Sequence, residues 1–292
     1  MPRHLLETIQ SLAASAESLA AIGAMLTLRR SGETAHPAVA AHLAKVLEAI
    51  DPKLLAASTA DEEQAALDFI HATFRGGLDV IEAPGRDPGW TSEDPVVLQS
   101  QAYASRLIAR TISAAAASTH ELKLMLSRKS RLLDIGTGAG WLAIEAAQTW
   151  PNLDVLGIDI HAPSLSLARQ NIAAAGLDGR ITLSEQGVDT LVDRDAFDIV
   201  SFPGQFIAEP LVRSAVSRSW EALRPGGYLA FSITSAQSVL GEALAALSTV
   251  RSGGHPWSAP AVTDLLAEAG FTGIEVVAPK GLAVVVMGRK PR

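Results

Sequence analysis

The run Leu132-Leu133-Asp134-Ile135-Gly136-Thr137-Gly138-Ala139-Gly140-Trp141 limits the possible folds of this 292-residue chain more than any other stretch. A hydrophobic strand ends in a glycine-rich turn, and a helix follows. Glycines accept backbone conformations that other residues avoid and let a ligand approach the main chain closely. The N-terminus of the helix offers free N–H groups to a carboxylate or phosphate. Open α/β sheets bind ligands at such turns, at the carboxyl ends of their strands.

From about residue 130 onward, strands alternate with helices. Arg131–Ile135, Asp154–Asp159, Arg180–Ser184, Phe197–Phe202, Gly227–Ile233, Gly273–Ala278 and Leu282–Gly288 read as strands. Trp141–Thr149, Ser164–Ala175, Ile207–Leu223, Ala236–Thr249 and Ala259–Gly270 read as the helices between them. The pattern predicts an α/β fold: a Rossmann-like, doubly wound sheet of seven strands, mainly parallel, with helices on both faces. Only Pro279–Gly281 separates the last two strands. A turn that short permits a hairpin but no parallel crossover, so the last strand is expected to be antiparallel.

The region before residue 118 reads as all-helical. Leu5, Ile9, Leu12, Ala16, Leu19, Ile22 and Leu26 recur at helical spacing. A second helix is expected over Pro37–Ile50, broken by Asp51-Pro52, and a third over Asp61–Phe74, with Asp61 as N-cap and Gly76-Gly77 as the stop. Glu82–Pro95 holds three prolines and two glycines and reads as a loop. A fourth helix starts near Val96 and includes Gln99 and Tyr103. The expected division is a helical domain over 1–118, as substrate lid or dimerisation element, and a ligand-binding domain over 119–292. Alanine-rich helix faces suit close packing within the chain or across a homodimer.

Composition removes several classes of function. Without cysteine there are no disulfides, thiolate metal sites or cysteine nucleophiles. The net charge is −7, and neither half carries a basic patch, so no nucleic-acid partner is expected. Glu7 and Glu17 interrupt the apolar N-terminal stretch, which argues against a membrane span or signal segment and for a cytoplasmic protein. None of the seven histidines pairs at metal-ligand spacing with a nearby acid, so no metal is expected.

Two ligands compete for the glycine turn. A dinucleotide site wants G-x-G-x-x-G, but its third glycine would fall on Trp141. Here the glycines stand at 136, 138 and 140, with Asp134 before them. That acid would repel a pyrophosphate and suits a cationic ligand.

These residues resemble the class I S-adenosylmethionine-dependent methyltransferases, of the small-molecule type with a helical N-terminal domain. Asp134, Gly136, Gly138 and Gly140 match their first motif. Asp159, closing Leu156-Gly157-Ile158-Asp159, matches the acid that ends the second strand. Phe197-Asp198-Ile199-Val200 matches the strand before the active site, and Pro225-Gly226-Gly227 the turn before the fifth. The resemblance implies S-adenosyl-L-methionine as cofactor, held by Asp134, Gly136, Thr137, Gly138, Gly140, Asp159, Ile160, Gln186 and Gly187. Asp159 would accept the ribose hydroxyls, with His161 packed nearby. Members usually carry an adenine-facing acid after the third strand. This chain departs there, reading Ser184-Glu185-Gln186-Gly187-Val188-Asp189.

The acceptor would sit beyond the fourth strand, at Ser201-Phe202-Pro203-Gly204-Gln205-Phe206. Phe202 and Phe206 either face a flat substrate or pack in the core. Gln205 either orients the substrate or is solvated. Family members that methylate amides and DNA amines carry a proline-rich motif of which this segment is only a faint echo. His255, in Gly253-Gly254-His255-Pro256-Trp257, is the candidate base, with Trp257 and Tyr103 as further substrate contacts. The expected activity is methyl transfer to a small organic molecule, oxygen first among acceptor atoms, in specialised metabolism. Nitrogen and carbon acceptors, RNA or protein substrates, and a non-catalytic cofactor binder remain alternatives.

Overall fold

The computed structural model describes residues 4–234, 236, 238–280 and 283–292. Its contacts form two compact units, Met1–Pro84 and Gly85–Arg292.

The first unit holds α1 (Leu5–Ser31), α2 (Pro37–Ile50) and α3 (Ala60–Glu82). Leu26, Leu67 and Ile70 form its small core, ringed by Leu19, Ile22, Leu55 and Phe74. Helix α1 ends where Gly32 turns left-handed and returns its N–H to the Leu28 carbonyl. By length and composition α1 would pass for a membrane-crossing helix, though Glu7 and Glu17 lie within it. Two expectations for α3 need correction. Its cap is Thr59 rather than Asp61: the Thr59 hydroxyl accepts from the Glu62 N–H, and the Glu62 carboxylate accepts from the Thr59 N–H at 2.8 Å. Gly76-Gly77 does not stop the helix, since neither glycine takes a positive φ. The helix runs on to Glu82, where Ala83 is forced out of helical geometry ahead of Pro84.

The second unit opens with α4 (Pro95–Ala104), α5 (Arg106–Ser118) and α6 (His120–Ser127). Then come β1 (Ser130–Ile135), α7 (Trp141–Thr149), β2 (Leu153–Asp159), α8 (Ala162–Ala174), β3 (Ile181–Glu185), β4 (Phe197–Phe202), α9 (Glu209–Ala222) and β5 (Leu223–Ile233). It closes with α10 (Val239–Arg251), α11 (Ala259–Glu268), β6 (Thr272–Val277) and β7 (Val284–Arg289). The seven strands among the described residues form one sheet in the order β3-β2-β1-β4-β5-β7-β6. The first five are parallel to one another, and β7 lies antiparallel between β5 and β6. The fold is the expected Rossmann-like sheet with its last strand reversed. Gly281 of the expected turn, Leu282 of the expected last strand and Gln237 of the expected helix Ala236–Thr249 lie outside the described residues.

Side chains alternate across each strand, so β1 feeds two cores. Leu132 joins the layer of Ile112, Leu126 and Leu142, and Leu133 joins Phe197, Val212 and Leu266. Strand β4 is buried throughout, Asp198 and Ser201 included, which explains its predominantly apolar sequence. The expected boundary at 118 differs from the contact division at Pro84. Ile108, Ile112 and Ala115 of α5 lie in the sheet's own core, and the Thr111 hydroxyl donates to the Ala283 carbonyl at 2.8 Å. Helices α4 to α6 therefore belong with the sheet.

Candidate active site

The carboxyl ends of β1 to β4 lie side by side, and the loops leaving them build the site. Gly136, Gly138 and Gly140 take φ of 62°, 56° and 82°, a region that suits glycine. The turn is anchored by the Thr137 N–H, which donates to Ile158 O at 3.0 Å, and the Gly140 N–H, which donates to Thr137 O at 2.9 Å. It is also crowded. A Cβ on Gly136 would stand 3.1 Å from Pro203 Cγ, and one on Gly140 3.3 Å from Ala168 Cβ.

Asp134 is 2% exposed, at the end of β1. The Thr137 hydroxyl donates to its Oδ2 at 2.7 Å. Burial pushes its carboxyl up to about 7; the Thr137 bond opposes the rise, the charge of Asp159 adds to it, and the Ser201 hydroxyl opposes it more weakly. A buried acid poised between its two forms would gain its charge beside a cation. Asp159 is held at both oxygens: Oδ2 accepts from the Gly138 N–H at 2.8 Å and Oδ1 from the His161 N–H at 2.9 Å. The carboxylate is thus aimed before any ligand arrives, with lone pairs left for hydroxyl donors. The Gln186 N–H donates to the Asp159 carbonyl at 3.0 Å, which brings β3's exit loop to the same place.

Ile160 stands out from this edge, 77% exposed. A side chain on Gly187 would run into the Asp189 carboxylate and meet Ile160 Cγ2 at 3.5 Å. The structure therefore gathers Ile160, Gly187 and Asp189. Asp189 was not singled out in the sequence. A glycine two residues before an acid was its only signal, and the fold-back that uses it is a 3-10 turn, Val188–Thr190.

Three segments meet beside the glycine turn. In Pro203–Phe206, Gly204 is pressed against the Phe231 ring, and Gln205 Oε1 accepts from the Ser232 hydroxyl at 3.0 Å. In the 253–257 loop, Gly254 has no room for a side chain beside the Gln205 carbonyl. The third segment carries Gly89, whose N–H donates to Arg251 O at 2.9 Å and whose Cα sits 3.2 Å from where a Cβ on Gly253 would be. This contact sets Trp90 edge-on to Phe206, centroids 6.1 Å apart, and edge-on to His161 at 6.4 Å. Trp90 comes from the proline- and glycine-rich loop and was missed in the sequence. His255 Nδ1 lies 3.4 Å from Glu209 Oε2, and its ring is 4.7 Å from that of Trp257. Glu209 was also missed.

Two expected substrate contacts are otherwise engaged. Phe202 is 0% exposed and stacks on Phe231 at 4.9 Å, so it belongs to the core and cannot line a substrate mouth. Tyr103 packs edge-on against Trp141 at 5.0 Å, and its hydroxyl accepts from Arg106, whose guanidinium pairs with Glu145 at 2.6 Å. Trp257 packs against Phe231 at 6.1 Å, with its indole N–H buried and without a partner among the described residues.

Residues 132–227 match a family model described as a methyltransferase domain. The ribosomal protein uL3 glutamine methyltransferase of Bradyrhizobium diazoefficiens is 37% identical over 70 residues, 24% of this chain and 22% of that protein. The chain thus spans less than a quarter of that relative's length. A solved structure from Nostoc punctiforme PCC 73102, described as a candidate O-methyltransferase, superposes with a TM-score of 0.69 at 18% identity, covering 99% of this chain and 100% of that one. Human N-acetylserotonin methyltransferase, solved with S-adenosylmethionine, gives 0.64 at 15% identity, covering 99% of each chain. Identities this low speak for the fold. Residues 132–227 thus match a methyltransferase domain, and the sheet has the fold of these solved structures. The residues present fit S-adenosylmethionine, the cofactor that the sequence resemblance implies and with which the human neighbour was solved. Asp159 is oriented for hydroxyls, Asp134 suits a cation, and the glycines leave main-chain N–H groups within a ligand's reach.

Proposed function

We propose that this protein transfers a methyl group from S-adenosylmethionine to a hydroxyl oxygen of a small organic molecule, in specialised metabolism. The observation that carries this reading is the meeting of Trp90, Phe206 and the His255–Glu209 pair beside the glycine turn. An aromatic rim with a few polar groups suits a flat or apolar small molecule. When bound, the cofactor supplies an electrophilic methyl on a positively charged sulfur that leaves as a neutral thioether. Asp159 orients it, and Asp134 balances its charge. Gln205, tied to Ser232, presents its remaining amide group to the acceptor. His255 takes the acceptor's hydroxyl proton, and Glu209 steadies the resulting imidazolium. The likeness to N-acetylserotonin methyltransferase supports a small acceptor. The net charge of −7 weighs against RNA.

The test gives the purified protein methyl-labelled S-adenosylmethionine and fractionated source-cell extract, beside its His255→Ala variant. Label should enter the low-mass fraction, and the variant should lose about 10²- to 10⁴-fold in rate while still binding S-adenosylhomocysteine. Label in protein or RNA would overturn the substrate class. An unimpaired variant would overturn the role of His255.

A further inference from the structure

A closed set of amide hydrogen bonds ties α4 to the glycine turn. Gln99 Nε2 donates to Asn171 Oδ1 at 3.0 Å, and Asn171 Nδ2 donates back to Gln99 Oε1 at 3.0 Å. The same Gln99 oxygen accepts from Trp141 Nε1 at 2.7 Å. Asn171 Nδ2 also donates to the Ala139 carbonyl at 2.8 Å. Gln99 lies on α4, Asn171 on α8, Ala139 inside the turn and Trp141 at its end. Ala102, on the next turn of α4, has its Cβ 3.5 Å from where a Cβ on Gly138 would stand. Helix α4 therefore lies against the loop whose Gly138 N–H aims Asp159. Two amides that satisfy each other, an indole and a carbonyl have little freedom to reorient separately.

We infer that Gln99 is a positioning residue for cofactor binding. It acts through Asn171, which holds the Ala139 carbonyl and so fixes the Ala139–Gly140 peptide plane between Gly138 and Trp141. Loop order and cofactor affinity are then linked in both directions: what orders the turn tightens the ligand, and the ligand tightens the docking of α4. The inference rests on S-adenosylmethionine being the ligand of the turn.

The test is calorimetric titration of S-adenosylhomocysteine into the full-length protein, at a temperature well below every variant's Tm. Wild type is compared with Gln99→Leu, Asn171→Leu, the double variant and, as a control on the same helix, Gln101→Leu. Each network variant should weaken binding by about three- to tenfold. The double variant should bind no more weakly than the worse single one, because the two amides act as one unit. Gln101→Leu should match wild type. A lowered Tm with unchanged affinity would reduce Gln99 to a packing residue and overturn the inference, as would losses that multiply in the double variant. A wild type that binds no S-adenosylhomocysteine would refute the cofactor assignment itself, an outcome separable from the others.

Discussion

Asp134 and Phe202 each report their surroundings through a measurable property. The Asp134 carboxyl titrates at about 7 in the folded protein, against 3.8 without the fold. The native state therefore holds an extra proton between about pH 4 and 7, and stability without ligand should fall as pH rises through that window, then level off. A cationic ligand favours the charged form, so affinity for S-adenosylmethionine should rise with pH up to about 7 and proton release should accompany binding. Asp134→Asn should flatten both profiles, and calorimetry in buffers of differing ionisation heat would read the proton. A pH-independent wild-type affinity would count against this electrostatic role. Phe202, buried and stacked on Phe231, makes the opposite kind of contribution. Phe202→Ala should cost about 3–5 kcal/mol in urea unfolding, whereas a substrate contact would shift KM and leave stability alone. Acid, glycines and second acid could be read in the chain because each stands at, or just beyond, the end of its own strand. Phe202 could not be assigned, because a strand-end phenylalanine looks the same whether its neighbour is substrate or a second ring.

Elements were easiest to read where periodicity and burial agree. All seven strands were legible: the central ones are buried on both faces, and even the exposed edge strands β3 and β6 keep short runs of β-branched residues between turn signals. Termini were harder, because local signals compete. Thr59-Ala60-Asp61-Glu62 carries a capping box, and the acid inside it drew the assignment two residues too far. The Pro225-Gly226-Gly227 turn lies inside β5 rather than before it, at the register shift where the β4 pairing jumps from Leu223 to Tyr228. In α3, Gly76 and Gly77 keep helical backbone and meet nothing within 4 Å. Gly76→Ala should therefore raise stability, by up to about 1 kcal/mol, read as a higher Tm. A fall would mean that this stretch of α3 needs its glycines.

In the whole chain, the proposed cofactor half of the site is local and the proposed acceptor half is not. The glycine turn, Asp159 and the β3 exit come from consecutive strands, so their order in sequence is their order in space. The acceptor side joins the loop before α4, the exit of β4 and the loop before α11, segments that are neighbours only once the sheet has formed. Trp90 and Glu209 had no motif to mark them. The expected boundary at 118 and the contact division at Pro84 differ for a related reason: α4 to α6 are helical in pattern yet bury apolar residues against the sheet. The decisive experiment is a side-by-side titration of the purified protein with S-adenosylhomocysteine and NAD, repeated on Asp159→Ala. S-adenosylhomocysteine should bind and NAD should not, and the variant should lose about tenfold to a few hundredfold in affinity, the worth of one or two hydrogen bonds to a charged group. Binding of NAD, or S-adenosylhomocysteine affinity unmoved by the loss of Asp159, would contradict the assignment of this site.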